Sequence, residues 1–169
     1  MASRLYDRRV CAHAGGPRPG AAPSFAERLI VWMWRQWWCG RHATGRPTLR
    51  YWQAWRCLGD DAAGLRFDLF AEVLAGLAPR PLMALPPCAL DLGADEGALL
   101  CALRAWQHEA ACAPAACAPL VPLARQSALL DWAGREAAAA LLVCGLDLTA
   151  AVRDAGQARF RFASGAKSL

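Results

Sequence analysis

The chain carries eight cysteines and three histidines, the side chains that hold zinc or act as thiolates, and their spacing decides which of these chemistries is open. A structural zinc needs four ligands at bonding distance. The closely spaced pairs are Cys11 with His13, Cys39 with His42, and Cys112 with Cys117. None is part of a doubled CxxC, so Cys39, His42, Cys112 and Cys117 are weak metal candidates and no cofactor is expected. A reactive thiolate needs cations or a helix N-terminus nearby. Cys39 lies near Arg35 and Arg41, and Cys57 follows Arg56. His42 and His108 lack a Ser, Cys or Asp partner in a recognisable order, and no Gly-rich phosphate loop or dinucleotide fingerprint occurs. The Asp95-Glu96 pair suits the first turn of a helix, where carboxylates gain about 0.3–1 kcal/mol each from the dipole. The chain is therefore not expected to be an enzyme.

The most unusual grouping is aromatic and cationic. Six of the eight tryptophans fall between Trp32 and Trp55, interleaved with Arg35, Arg41, Arg46 and Arg50. Indole and guanidinium groups together suit a protein-interface hot spot. They also suit base stacking with phosphate contact, a membrane-surface helix, or simply the centre of a small helical core. Charge is polarised in the same sense: net charge is +5, but residues 1–58 carry ten arginines against Asp7 and Glu27, whereas residues 59–169 are net acidic by three. That asymmetry can attract an acidic protein, nucleic acid or lipid, or be satisfied internally. The interaction candidates are Arg28, Arg35, Arg41, Arg46, Arg50 and Arg56, with Trp34, Trp38 and Trp52. The leading expectation is a non-catalytic protein-interaction module that docks an acidic surface through its first two helices. A nucleic-acid-binding protein and a metal-binding or thiol-redox protein are the alternatives.

These side chains must be positioned by helices. The 169 residues are 56% hydrophobic and 20% charged, enough apolar material for one core. Residues 1–23, rich in Gly, Pro and Arg, read as a disordered basic arm. Ser24 and Glu27 form a capping box for a first helix ending near Cys39, with Gly40 as its stop. Phe25, Leu29, Trp32 and Met33 fall on one arc of that helix. Thr48 caps a second helix that Gly59 ends, and Asp60 or Asp61 caps a third running to about Ala78, with Leu65, Leu69, Phe70, Val73, Leu74 and Leu77 at helical spacing. Four prolines make residues 79–92 an extended connector, with Leu82, Met83 and Leu85 tucked in. A fourth helix opens at Gly93 and carries Leu99, Leu100, Leu103 and Trp106. Residues 112–119 read as a loop. Leu120 to about Cys144 reads as helical, in one piece or two with a break near Asp131 to Gly134, with Val121, Ala124, Leu129, Trp132, Ala139, Leu142 and Val143 as its apolar positions. Residues 149–169 read as a frayed basic tail. The fold class is all-α, a single irregular or orthogonal bundle of five to six helices over residues 24–148.

No apolar run reaches the roughly 20 residues of a membrane span. The N-terminal residues lack the apolar stretch of a signal peptide, so a cytoplasmic, reducing setting with free cysteines is expected. The arginine and alanine bias fits a GC-rich coding sequence.

Arg80-Pro81-Leu82-Met83 followed by Leu92-Gly93-Ala94-Asp95-Glu96 resembles a family of small uncharacterised bacterial helical proteins with an RPLM segment, a Cys-x-Cys spacer and an LGADE helix start. The resemblance is specific over residues 80–96. Where that family has its two spacer cysteines this chain has Ala89 and Asp91, with Cys88 displaced by one. The resemblance implies a helical fold and no particular activity.

Overall fold

A computed structural model describes residues 23–108, 113–122 and 127–148. Among them the chain is all-α: α1 (Phe25–Thr44), α2 (Leu49–Cys57), α3 (Asp61–Leu77), α4 (Ala94–Gln107), a single turn α5 (Ala113–Ala116) and α6 (Ala128–Val143). Caps set the starts as the sequence predicts. Ser24 accepts from the Glu27 amide while Glu27 accepts from Ser24, and Thr48 and Asp60 cap α2 and α3. The proposed arm, apart from Pro23, and the proposed tail lie outside the described residues.

Two boundaries differ from expectation. Gly40 does not stop α1, which continues to Thr44 and ends at Gly45 in the left-handed conformation, φ 74°. A Cβ at position 40 would sit 2.4 Å from the Arg46 carbonyl oxygen and the Thr48 nitrogen. Glycine is therefore there to let the turn into α2 lie directly on α1. At the other end, α6 begins at Ala128, capped by Ser127, rather than at Leu120. Pro119 and Pro122 disfavour helical backbone in the residues before them, and Leu120 and Val121 are instead buried in a turn. The 112–119 segment contains the α5 turn, with Pro114 tolerated because a first-turn residue needs no amide donor.

The core is an aromatic series that crosses three helices. Tyr51 meets Trp55 at 6.1 Å between ring centroids, Trp55 meets Phe67 at 5.8 Å, Phe67 meets Phe70 at 6.1 Å and Phe70 meets Trp106 at 5.6 Å. Two of these indoles lie on glycines: a Cβ at Gly64 would stand 2.8 Å from the Trp55 ring, and one at Gly134 2.5 Å from the Trp106 ring. Gly134 thus does not break α6; it admits Trp106, whose Nε1 donates to Asp131 at 2.9 Å. On the other side of the core, Trp34 and Trp37 stack at 5.3 Å.

The α3–α6 contact is the most extensive between helices, followed by α4–α6. Here the apolar positions expected on α6 mostly face water, and those expected on α3 are borne out only in part. On α6 the buried residues are Leu130, Ala133, Ala137, Ala138, Ala140 and Leu141, while Leu129, Trp132, Leu142 and Val143 are exposed. On α3, Phe67, Phe70, Ala71 and Leu74 are buried and Leu65, Leu69 and Leu77 are exposed. Phe25 and Met83 also face water.

The connector is held by charge. Arg35 donates to both Glu96 carboxylate oxygens at 2.7 Å, and to the carbonyls of Ala89 at 2.5 Å and Asp91 at 2.6 Å. Glu96 in turn accepts from the Leu85 amide at 3.0 Å and the Gly93 amide at 2.8 Å. Beside it, Asp95 pairs with Arg80 at 2.7 Å and accepts from the Met83 amide. The dipole reading of Asp95-Glu96 is therefore too small: both carboxylates open the helix and also staple the proline-rich segment to it.

Candidate interaction surface on helices 1 and 2

The Trp/Arg region divides into an inner and an outer set. Trp34, Arg35 and Trp37 are buried on α1, and Tyr51 and Trp55 on α2. The interaction roles expected for Trp34 and Arg35 are thus corrected. Helical geometry sends both inward, Trp34 to the core and Arg35 to Glu96, where neither can meet a partner.

The outer set shows four different arrangements. Arg41 is held by its own fold: it pairs with Glu72, lies over the Trp37 ring at 5.8 Å and donates to the Gly45 carbonyl at 2.5 Å. Arg28 is exposed and donates to the Pro23 carbonyl at 3.0 Å. Arg56 approaches Asp61 at 3.7 Å, with both side chains about two-thirds exposed, a pairing of the kind worth at most about 1 kcal/mol. Arg46 and Arg50, by contrast, are exposed and have no carboxylate partner among the described residues. With the exposed Leu49, Gln53 and Arg56 they form a cationic edge along α2 that includes one apolar side chain.

Trp52 and Trp38 border this region half-buried. Trp52 meets Tyr51 edge-on at 4.9 Å; Trp38 stacks on Trp34 at 5.7 Å and receives His42 edge-on at 4.1 Å. A groove of about 430 Å³ opens beyond Trp38, lined by Trp37, Arg41, His42, Glu72 and Arg80. Its cations are already neutralised by Glu72 and Asp95.

Cys39 and His42 share a turn of α1 and are both exposed, and the described residues hold no group of three or more metal-ligating side chains. Cys117 is buried, and burial pushes its thiol up to about 12, away from the thiolate that metal binding and thiol exchange require. Cys112 lies outside the described residues, as do Cys11 and His13. Near neutral pH, Tyr51 keeps its proton, raised by burial, and donates to the Gly64 carbonyl at 2.7 Å.

The sequence reading missed the two buried ion pairs, Arg35 with Glu96 and Arg104 with Glu27 at 2.5 Å. The members of each are 61 and 77 residues apart. One local signal existed for the second: Arg104 borders the apolar arc of Leu99, Leu100, Leu103 and Trp106 on α4, and a charge buried there needs a counter-charge. No protein-family model, curated protein or solved structure matches the chain.

Proposed function

We propose that the protein is a non-catalytic interaction module whose α1–α2 corner docks an acidic protein surface. The carrying observation is that Arg46 and Arg50 stand exposed beside the solvent-facing Leu49 with no carboxylate partner among the described residues, whereas Arg35, Arg41 and Arg104 pair with carboxylates of the fold itself. Unpaired cations around an apolar side chain attract and orient an acidic partner, and gain most where the contact excludes water. No described helix is long and apolar enough to cross a membrane. A bacterial, cytoplasmic setting belongs to the same proposal; the six described cysteines are free thiols, the state that a reducing interior maintains. Membership of the helical family with the RPLM and LGADE segments is also proposed, supported by the way Asp95 and Glu96 bind the backbone of the segment that the motif spans.

The test uses a fluorescent acidic peptide containing Glu, Asp and Leu, titrated with the full chain and with Arg46→Glu/Arg50→Glu. Affinity for the peptide should fall at least tenfold in the variant while helicity is unchanged. Equal binding by both proteins overturns the proposal.

Nucleic-acid binding is the second reading, and a separate observation favours it. Residues 1–22 and 149–169 are each net basic by three, while the described residues have ten arginines against eleven carboxylates. Binding of an oligonucleotide that falls steeply with salt, as counterion release requires, and that survives Arg46→Glu/Arg50→Glu would favour it.

A further inference from the structure

The outward face of α6 carries Leu129, Trp132 and Val143 while Ala133, Ala137, Ala138 and Ala140 are buried, and on α3 Leu65 and Leu69 face outward although Phe67, Phe70 and Leu74 already fill its inner face. Leu65 is 60% exposed, Leu129 55%, Trp132 51% and Val143 75%. A monomer gains nothing by turning such side chains to water, since each would contribute about 1.5–3 kcal/mol if buried. The two helices run antiparallel: Arg66 approaches Glu136 at 3.6 Å, and Asp60 lies near enough to Cys144 to add to the upward push that burial exerts on its thiol. At 100° per residue, Leu65 and Leu69 lie within about 40° of each other on α3, and Leu129, Trp132 and Val143 lie within about 60° of one another, around Glu136, on α6. The Arg66–Glu136 pair crosses the seam between them.

We propose that this two-helix face is a homodimer interface, with the α3–α6 pair of one copy packed on that of a second copy as a four-helix layer. Two features favour a second copy as occupant. The first is size: helices of 17 and 16 residues are about 25 Å long, and with interaxial spacing of about 10 Å they offer roughly 500 Å² per protomer. Doubled, that is about 1,000 Å², the area at which a specific interface becomes sustainable. The second is charge: the face carries one cation and one anion on its seam, so a twofold axis running along the seam sets Arg66 of one copy toward Glu136 of the other and avoids a like-charged clash.

Sedimentation equilibrium of the full chain over 1–200 µM tests this. A reversible dimer at twice the 18.2 kDa chain mass is expected, with a dissociation constant on the order of micromolar. Trp132→Glu should weaken it about 30-fold or more, as loss of an interface hot spot does, and Leu65→Glu/Leu69→Glu is a second variant should the first lose its helicity. Arg66→Glu should weaken the dimer by placing two acids together, and Arg66→Glu/Glu136→Arg should restore it. A monomer at every concentration overturns the proposal. So does a dimer unaffected by a folded variant at 65 and 69 or at 132, because association would then use another face. Peptide binding at the α1–α2 corner is read separately and bears on neither outcome.

Discussion

Replacing Glu96 by glutamine keeps its shape and removes its charge, leaving an Arg35 side chain only 4% exposed without a counter-ion. Stranding one member of a buried pair costs about 3–5 kcal/mol, a large share of the roughly 5–15 kcal/mol that holds a domain folded. The informative comparison is the double variant Arg35→Met/Glu96→Leu. For an isolated buried pair, apolar replacement of both members is neutral or stabilising by about 1–4 kcal/mol. This pair is not isolated, because it also binds the Ala89 and Asp91 carbonyls and the Leu85 and Gly93 amides. Four such bonds at about 0.5–1.5 kcal/mol each amount to about 2–6 kcal/mol. Taking the middle of both ranges, the backbone loss wins and the double variant stays about 1–2 kcal/mol below wild type. Urea unfolding followed by tryptophan fluorescence measures the difference, and hydrogen exchange locates it: the amides of Leu85 and Gly93 should lose protection while α6 keeps its own. A double variant as stable as wild type, or one whose connector amides stay protected, would refute the idea that the pair anchors the connector.

Three further outcomes are expected. Gly134→Ala should cost about 1–3 kcal/mol by driving a methyl into the Trp106 ring, whereas Gly76→Ala, with nothing within 4 Å in an exposed helical position, should stabilise by about 0.5–1 kcal/mol; thermal melts of both variants check the contrast. Asp95 is held below its usual range by Arg80, and Glu96 and Asp131 are also held low because hydrogen bonds outweigh the upward push of burial. Their contribution is complete above the ordinary glutamate value of 4.5 and is lost as pH falls through their lowered values, while Asp68, raised by burial, works the other way. Three lowered groups against one raised make acid destabilising, so the urea midpoint should fall below pH 4.5, and a midpoint constant from pH 7 to 3 contradicts this. In the native protein a thiol reagent should modify exposed Cys39, Cys57 and Cys88 while Cys117 reacts only on unfolding, as peptide mapping will show.

Local rules carried the sequence reading where one residue decides the outcome. Ser24, Thr48 and Asp60 begin helices because a side-chain oxygen meets an amide three residues on, and this pattern is visible without any tertiary knowledge. Proline placement gave the connector for the same reason. Face assignment failed on α6, and in part on α3, because periodicity reports a repeat and not which of two apolar stripes packs. Tight packing between these helices selects small side chains, so Ala133, Ala137 and Ala140 are buried while Trp132 and Val143 are left outside. Ranking the stripes by side-chain size gives the opposite answer on α6, whereas on α3 it selects the buried Phe67 and Phe70. Gly40 misled in a related way: its lack of a Cβ serves a neighbouring turn in space, which a rule about helix ends does not contain.

The polarity of charge shows how far a sequence can go toward a binding surface. Ten arginines in the first 58 residues suggest one continuous basic face, yet folding draws Arg35, Arg41 and Arg56 to acids that come later in the chain, Glu96, Glu72 and Asp61. The cationic surface that remains on the described helices is therefore a residue of this pairing, centred on Arg46 and Arg50 where no acid was placed to meet them. Composition measures the total, and only the fold shows the remainder. It is the remainder that a partner meets, so reversing Arg35, the most conspicuous arginine between the tryptophans, would unfold the connector, whereas reversing Arg46 and Arg50 would change recognition in a protein that is still folded.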